Sequence, residues 1–464
     1  MDNRKSLTTQ KFGLLIGTGG STAIYAFTTA FAMLFFTSVM GLSPAVVGTI
    51  MLVSKVWDAI NDPLCGVLID RTPTRKFGQI KPWIFFGAIG IAVFGVLMFV
   101  VPGFGNTGKV VWSLIMYNGI GMAFTAFVIG LVTIMPRITN IQIERVSLSA
   151  YFFIGQTLSA IIVTAIAMPL ITHFSASSPV NAYWNTALII CAVGLALTMI
   201  LIFVVKERVS AENKDESSKP LLKDSLVSIL HNKPFLLVAL ICLINGIALG
   251  MHNSSLAQYI VFGLKNPEIS SLIMPIIYVG AFLAGLLAKP LARLDKVRMT
   301  KISFIIVLVG ILLRLITKDA FLPLMIGGEF AIGLGSGLFN VYMVAMLFDT
   351  AEYGYRKTGV QNNALIMSSM TFQLKIGQGV GAALMGFWLE LGGYISTATE
   401  QPESAVKALF DVNLIPFLAV AIISFILMYF YKLSDSRMTK IMDERSSAET
   451  ENTEVENAKA ENND

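Results

Sequence analysis

Apolar runs of about 20 residues, each long enough to cross a hydrocarbon core ~30 Å thick, recur along the whole chain. Twelve spans are expected, at 12–38, 44–69, 83–102, 108–134, 147–172, 182–205, 234–262, 269–289, 300–317, 321–347, 362–391 and 409–432. Composition agrees. Of 464 residues, 14% are charged and 55% hydrophobic, against roughly 25% charged in a soluble domain. Mean hydropathy is +0.71. The segment Met1 to Lys11 is short and basic. The apolar run behind it continues past Phe36, too long for the core of a cleaved signal. The fold expected is an all-α, multi-pass inner-membrane protein.

Basic residues decide the orientation. Alternate loops carry Arg71, Arg75, Lys76 and Lys81, then Arg137 and Arg145, then Lys206 to Lys223, then Lys289 to Lys301, then Arg356 and Lys357. The opposite loops hold little beyond Lys109, Lys265, Lys318 and Lys407. Because cytoplasmic loops collect Lys and Arg, both termini are expected in the cytoplasm. A polar stretch divides the spans into two sets of six. The expected organisation is an N-terminal bundle at 1–206, a cytoplasmic linker at 207–232, a C-terminal bundle at 233–434 and an acidic, disordered tail at 435–464.

The two halves echo one another. Gly66, Asp70, Arg71, Arg75 and Lys76 follow the second span, and Gly285, Lys289, Arg293, Asp295 and Lys296 follow the eighth at nearly the same register. Two six-helix repeats joined by a cytoplasmic loop are the outline of the major facilitator architecture. The loop charges read either as a latch that stabilises one conformation or as plain topology-setting charge. Asp349, Glu352 and Arg356 at the end of the tenth span read as gate-side ion pairs.

Charges inside the spans say more, because an ionisable group in the membrane is costly and marks a cavity or a partner. The second span contains Lys55, Trp57, Asp58, Asn61, Asp62 and Pro63. Asp58 and Asp62, four residues apart, share one helix face, and Asn61 adds an amide oxygen. Such a stripe of hard oxygen ligands suits Na⁺ or Li⁺. The same acids held close could share a proton, or Asp58 could simply pair with Lys55 or Lys375. Lys375 is a lone ammonium in the eleventh span and needs an anion. Gln373 and Trp388 lie in the same span. Glu329, Asn245 and His252 read as single polar packing residues.

The run Trp57 to Pro63 followed by Asp70 to Trp83, together with Phe36 to Ser43, Asp349 to Gly354 and Lys375, resembles the glycoside–pentoside–hexuronide:cation symporters. The resemblance covers nearly the whole chain except the tail. It implies a cation site at Asp58, Asn61, Asp62 and Thr125, with Lys375 tied to both cation and solute. It implies two bundles that rock around a central site. The solute positions it implies are Thr22, Tyr25, Val128, Val132, Gln373, Lys375 and Trp388. Here the sequence departs from sugar-specific members, whose acids at the first and fourth spans are replaced by Thr22 and Val128. A site without those carboxylates is expected to be less charged than that of a galactoside carrier.

The reading that results is a cation-coupled symporter of a sugar or glycoside-like solute, driven by Na⁺ or H⁺. The alternative is a carrier of a more apolar small molecule. Enzyme activity is not expected: no nucleophile lies beside a base, the histidines His173, His231 and His252 are scattered, and no phosphate-binding loop of the ATP-dependent kind is present. Cys65, Cys191 and Cys242 all lie in apolar runs, so neither a disulfide framework nor a metal centre is expected. No cofactor besides the coupling ion and no nucleic-acid partner is expected. The partners are the solute and the lipid bilayer, and the protein is expected to act as a monomer.

Overall fold

The computed structural model describes residues 2–72, 78–139, 142–176, 179–205, 228–291, 294–358, 363–434 and 437–438. Arg75, most of the linker and most of the tail lie outside the described residues, as do the side chains of Asp70 and Arg145. Twelve long helices occur among the described residues: α1 (Asp2–Ser38), α2 (Pro44–Arg71), α3 (Lys81–Met98), α4 (Asn106–Ile138), α5 (Gln142–Ser175), α6 (Pro179–Val204), α7 (Lys233–Gln258), α8 (Ser270–Leu291), α9 (Lys296–Thr317), α10 (Leu322–Thr358), α11 (Asn363–Leu391) and α12 (Glu403–Leu427). Each expected span finds its helix. Ten are long and apolar enough to cross a membrane by composition alone. The other two are α2 and α11, which carry Asp58, Asp62 and Lys375.

Helix ends follow local chemistry more than hydropathy. Ser43 caps α2 by accepting from the Val46 N–H, with Pro44 just inside the helix. Asn232 caps α7 and Asp295 caps α9 in the same way. Lys318, left-handed at φ 47°, ends α9. Several helices overrun their apolar runs, because backbone hydrogen bonding continues past the lipid boundary. Thus α10 reaches Thr358, eleven residues past the expected 347, and carries Asp349, Glu352 and Arg356 on its last turns. The last helix runs 403–427 rather than 409–432, since the Pro402 carbonyl accepts the first helical hydrogen bonds and Glu403 suits the positive end of its dipole.

Helices α1–α6 pack together, α7–α12 pack together, and the bundles meet chiefly through α2 against α11 and α5 against α8. These contacts concentrate toward one face. A methyl group on Gly386 would lie 2.2 Å from the Pro44 carbonyl oxygen, and one on Gly48 2.7 Å from that of Ala382, so the backbones of α2 and α11 touch there. Hydrogen bonds cross the same face. Gln258 Nε2 donates to Thr37 Oγ1 at 2.8 Å, Ser396 Oγ to the Leu42 carbonyl at 2.9 Å, and the Ala45 N–H to Glu390 at 3.2 Å. Tyr394, whose phenol burial holds above its ordinary value, lies 3.2 Å from Ser38 Oγ. Toward the other face, a methyl on Gly66 near the end of α2 would meet nothing within 4 Å. The bundles are therefore closed at the face of the α1–α2 and α11–α12 loops.

Candidate functional site

One face of α2 presents Lys55, Asp58, Asn61, Asp62 and Cys65 at helical spacing. Asp58 is 3% exposed. Its Oδ2 lies 3.4 Å from Lys55 Nζ, while its Oδ1 is buried with no hydrogen-bond partner. Gly121 of α4 makes room for that oxygen, since a methyl there would lie 2.6 Å from it. Asp62 is held from two bundles. Thr125 Oγ1 of α4 donates to its Oδ1 at 2.8 Å, and the Lys375 ammonium of α11 pairs with its Oδ2. Asn61 accepts from Cys65 Sγ at 3.6 Å and leaves its Nδ2 buried without a partner. Two carboxylates, an amide and a hydroxyl, with one buried carboxylate oxygen unpartnered, suit a small hard cation. The donor set does not suit zinc, which takes Cys and His. No cluster of three or more His, Cys, Asp or Glu that could hold a metal occurs among the described residues.

Beside this stripe lies a cavity of about 360 Å³ between the bundles. Thr22, Tyr25, Lys55, Tyr117, Gln156 and Thr157 line it from the N-terminal bundle, and Asn253, Ser254, Tyr278 and Gln378 from the C-terminal one. The Tyr25 ring stacks on Phe124 at 3.9 Å with a 6° interplanar angle, which fixes a flat aromatic surface in the wall. The Thr22 hydroxyl is buried without a partner. Lys55 belongs to both places. It lines the cavity, donates to the Tyr25 hydroxyl at 2.8 Å and lies beside Asp58.

Residues 13–435 match the model of the family described as "MFS/sugar transport protein". This chain belongs to that family. The isoprimeverose transporter of Lactiplantibacillus pentosus is 28% identical over 412 residues, covering 88% of this chain and 85% of that protein. The glucuronide carrier protein homolog of Escherichia coli (strain K12) is 26% identical over 436 residues, covering 93% and 94%. Among solved structures, an inward-facing bacterial homolog of the human lysosomal transporter Spinster superposes with a TM-score of 0.67 at 13% identity, covering 92% of this chain and 96% of that one. That likeness is one of fold. The relatives place the chain among the glycoside–pentoside–hexuronide:cation symporters of the major facilitator superfamily. It is a multi-pass inner-membrane transporter, and its function is cation-coupled symport of a sugar or glycoside-like solute.

Within this symporter, Asp58, Asn61, Asp62, Thr125 and Lys375 come together in one place. Thr22 and Tyr25 line the cavity. Val128 packs half-buried against the hydrophobic core, and Val132 is 51% exposed; neither lines the cavity. Gln373, two residues before Lys375, keeps a buried, unpartnered Oε1, and Trp388 is exposed toward the closed face; both are off the cavity lining. At the basic face Asp349 pairs with Lys296, and Glu352 lies 3.5 Å from Arg356 Nε. Arg71 ends α2 in an exposed position. Sequence reasoning missed the uncharged wall residues Gln156, Asn253, Ser254 and Gln378. Their signal was available, as amides and hydroxyls inside apolar runs. It also passed over Arg314 and Asp319.

Proposed function

We propose that the symporter carries a neutral glycoside with one coupling cation, and that Lys55 ties the two ligands together. The observation that carries this is the double placement of Lys55, which bonds Tyr25 in the cavity wall and lies beside Asp58 in the cation stripe. A solute hydroxyl seated against Tyr25 and the unpartnered Thr22 hydroxyl would draw on Lys55. That would free Asp58 Oδ2 to join Oδ1 as a ligand. The Lys375 ammonium holds the place of a cation at Asp62 in the state described here. A cation arriving from solution competes with it, so binding loosens a contact between the bundles. Among the described residues the cavity wall has one charged residue, Lys55, and Asp58 lies beside it. A neutral solute therefore fits better than an anion.

The proposed cycle rocks the bundles 1–206 and 233–434 about this site, breaking the contacts of the closed face as the basic face closes. With the basic loops in the cytoplasm, both termini are cytoplasmic and the cavity opens inward. One chain contains both bundles and the whole cavity, so a monomer suffices. Na⁺ is the preferred ion for the unpartnered Asp58 oxygen.

The test is a thermal-shift screen of purified protein with isoprimeverose and other neutral glycosides, with and without Na⁺. A ligand that binds the native state raises the unfolding midpoint. A glycoside shift that Na⁺ enlarges in wild type, but not in Asp62→Asn, is the expected result. A shift from apolar aglycones alone, indifferent to Na⁺, would overturn the reading.

A further inference from the structure

A second ionic centre lies wholly inside the C-terminal bundle. Arg314 of α9, Glu329 of α10 and His252 of α7 are all 0% exposed. Arg314 grips Asp319, in the turn after α9, with Nε at 3.0 Å and Nη2 at 2.7 Å. Its Nη1 donates to Asn413 Oδ1 of α12 at 2.9 Å and pairs with Glu329 Oε1. Asn413 Nδ2 donates to Ser255 at 3.0 Å, and the Tyr259 hydroxyl to Asp319 at 2.9 Å. One basic and two acidic groups leave an excess negative charge, which is costly where water is excluded.

The imidazole supplies what is missing. His252 Nδ1 faces the Asn413 carbonyl oxygen at 3.3 Å. A carbonyl only accepts, so Nδ1 carries a hydrogen. Nε2 faces Glu329 Oε2 at 3.3 Å. Neither atom has a hydrogen-bond partner, and a proton on Nε2 would make the contact an ion pair and bring the centre to neutrality. Glu329 then bridges an imidazolium and a guanidinium. Facing α7 from other elements, Phe417 of α12, Gln378 of α11 and Thr37 of α1 are not acidic or basic.

The placement of α7 gives the proton something to act on. Asn253 and Ser254 line the solute cavity, while His252 and Ser255 sit in the network. Gln258 makes the hydrogen bond to Thr37 at the closed face. Tyr259 opens the π-helical turn Tyr259–Gly263, a distortion often found at functional positions. We infer that the His252–Glu329 pair is a proton-binding site, distinct from the acid pair of α2, whose exchangeable proton is linked through α7 to the cavity and the closed face.

The experiment uses full-length protein in detergent, labelled with isotopic histidine and observed by nitrogen NMR. The chain has only three histidines, so His173→Gln with His231→Gln leaves His252 alone. The expected wild-type signal is that of an imidazolium, with a hydrogen on both ring nitrogens. Glu329→Gln, which leaves the centre neutral without the proton, is expected to give a neutral imidazole with one bare ring nitrogen. Asp62→Asn is expected to leave the signal unchanged. A neutral His252 in the wild-type background, or an imidazolium unaffected by Glu329→Gln, would overturn the assignment. The wild-type spectrum decides the first point even if Glu329→Gln fails to fold.

Discussion

The two ionic centres are made of similar residues and differ in where they sit. The centre on α2 joins both bundles: Asp62 is held by Thr125 from one and Lys375 from the other, with the Asp62 and Lys375 side chains 26% and 28% exposed. The centre around Arg314 joins four helices of one bundle and is sealed, with Arg314, Glu329 and His252 all 0% exposed. An ion pair with water beside it can trade a partner for a cation at small cost, whereas a sealed network must stay balanced or destabilise its bundle. Similar chemistry thus yields an exchange site in one place and a proton-balanced frame in the other.

The contrast is sharpest when one cation is removed from each centre. Arg314→Leu leaves Asp319 and Glu329 buried with only the His252 proton to offset them. It should cost about 3–5 kcal/mol of stability, seen as lost yield or a collapsed unfolding midpoint in detergent. Lys375→Gln should cost less than about 1 kcal/mol, because the released Asp62 carboxylate is partly hydrated. Equal losses from the two variants would break the distinction between frame and exchange site.

Added bulk should separate them in a second way. A methyl on Gly328 would lie 2.6 Å from Arg314 Cγ and 2.7 Å from the Gly310 carbonyl oxygen. With backbone on one side and a fixed guanidinium on the other, Gly328→Ala should cost about 1–3 kcal/mol by thermal unfolding. A methyl on Gly121 presses instead on the unpartnered oxygen of Asp58. Gly121→Ala should move the midpoint less, yet weaken the Na⁺ response on the order of tenfold, as about 1.4 kcal/mol lost from one ligand would. A Gly121→Ala protein that binds Na⁺ normally would show that this oxygen is not a ligand.

What could be read in advance follows the same divide. The α2 acids were legible because Asp58 and Asp62 lie four apart within one apolar run, and Lys375 because a lone ammonium in a span demands an anion. The Arg314 centre was not legible. Arg314 and Asp319 lie near a loop, where charge is ordinary, and Glu329 and His252 stand alone in their helices. Only packing brings together groups from α7, α9, α10 and α12. The twelve helices were legible in number because hydropathy reports lipid contact, but their ends were not, since capping by Asn232 and Asp295 has no hydropathy signature. The cavity walls were half-legible: Thr22 and Tyr25 came through the family resemblance, whereas Gln156 and Gln378 carry no charge to draw notice.

The last variant tests the link between cavity and cation. Tyr25→Phe keeps the ring that stacks on Phe124 and deletes the hydroxyl that accepts from Lys55. The ammonium still has Asp58 as a partner, so no buried charge is orphaned and the fold should hold. One lost hydrogen bond is worth about 0.5–1.5 kcal/mol, equivalent to roughly a threefold to tenfold weaker solute affinity by calorimetric titration with isoprimeverose. Because Lys55 then leans on Asp58 alone, it competes harder for the carboxylate, and Na⁺ affinity should fall in the same variant. A loss confined to the solute would mean that the two ligands sit beside one another without sharing Lys55, and the coupling would then have to run through Lys375 and the movement of α11.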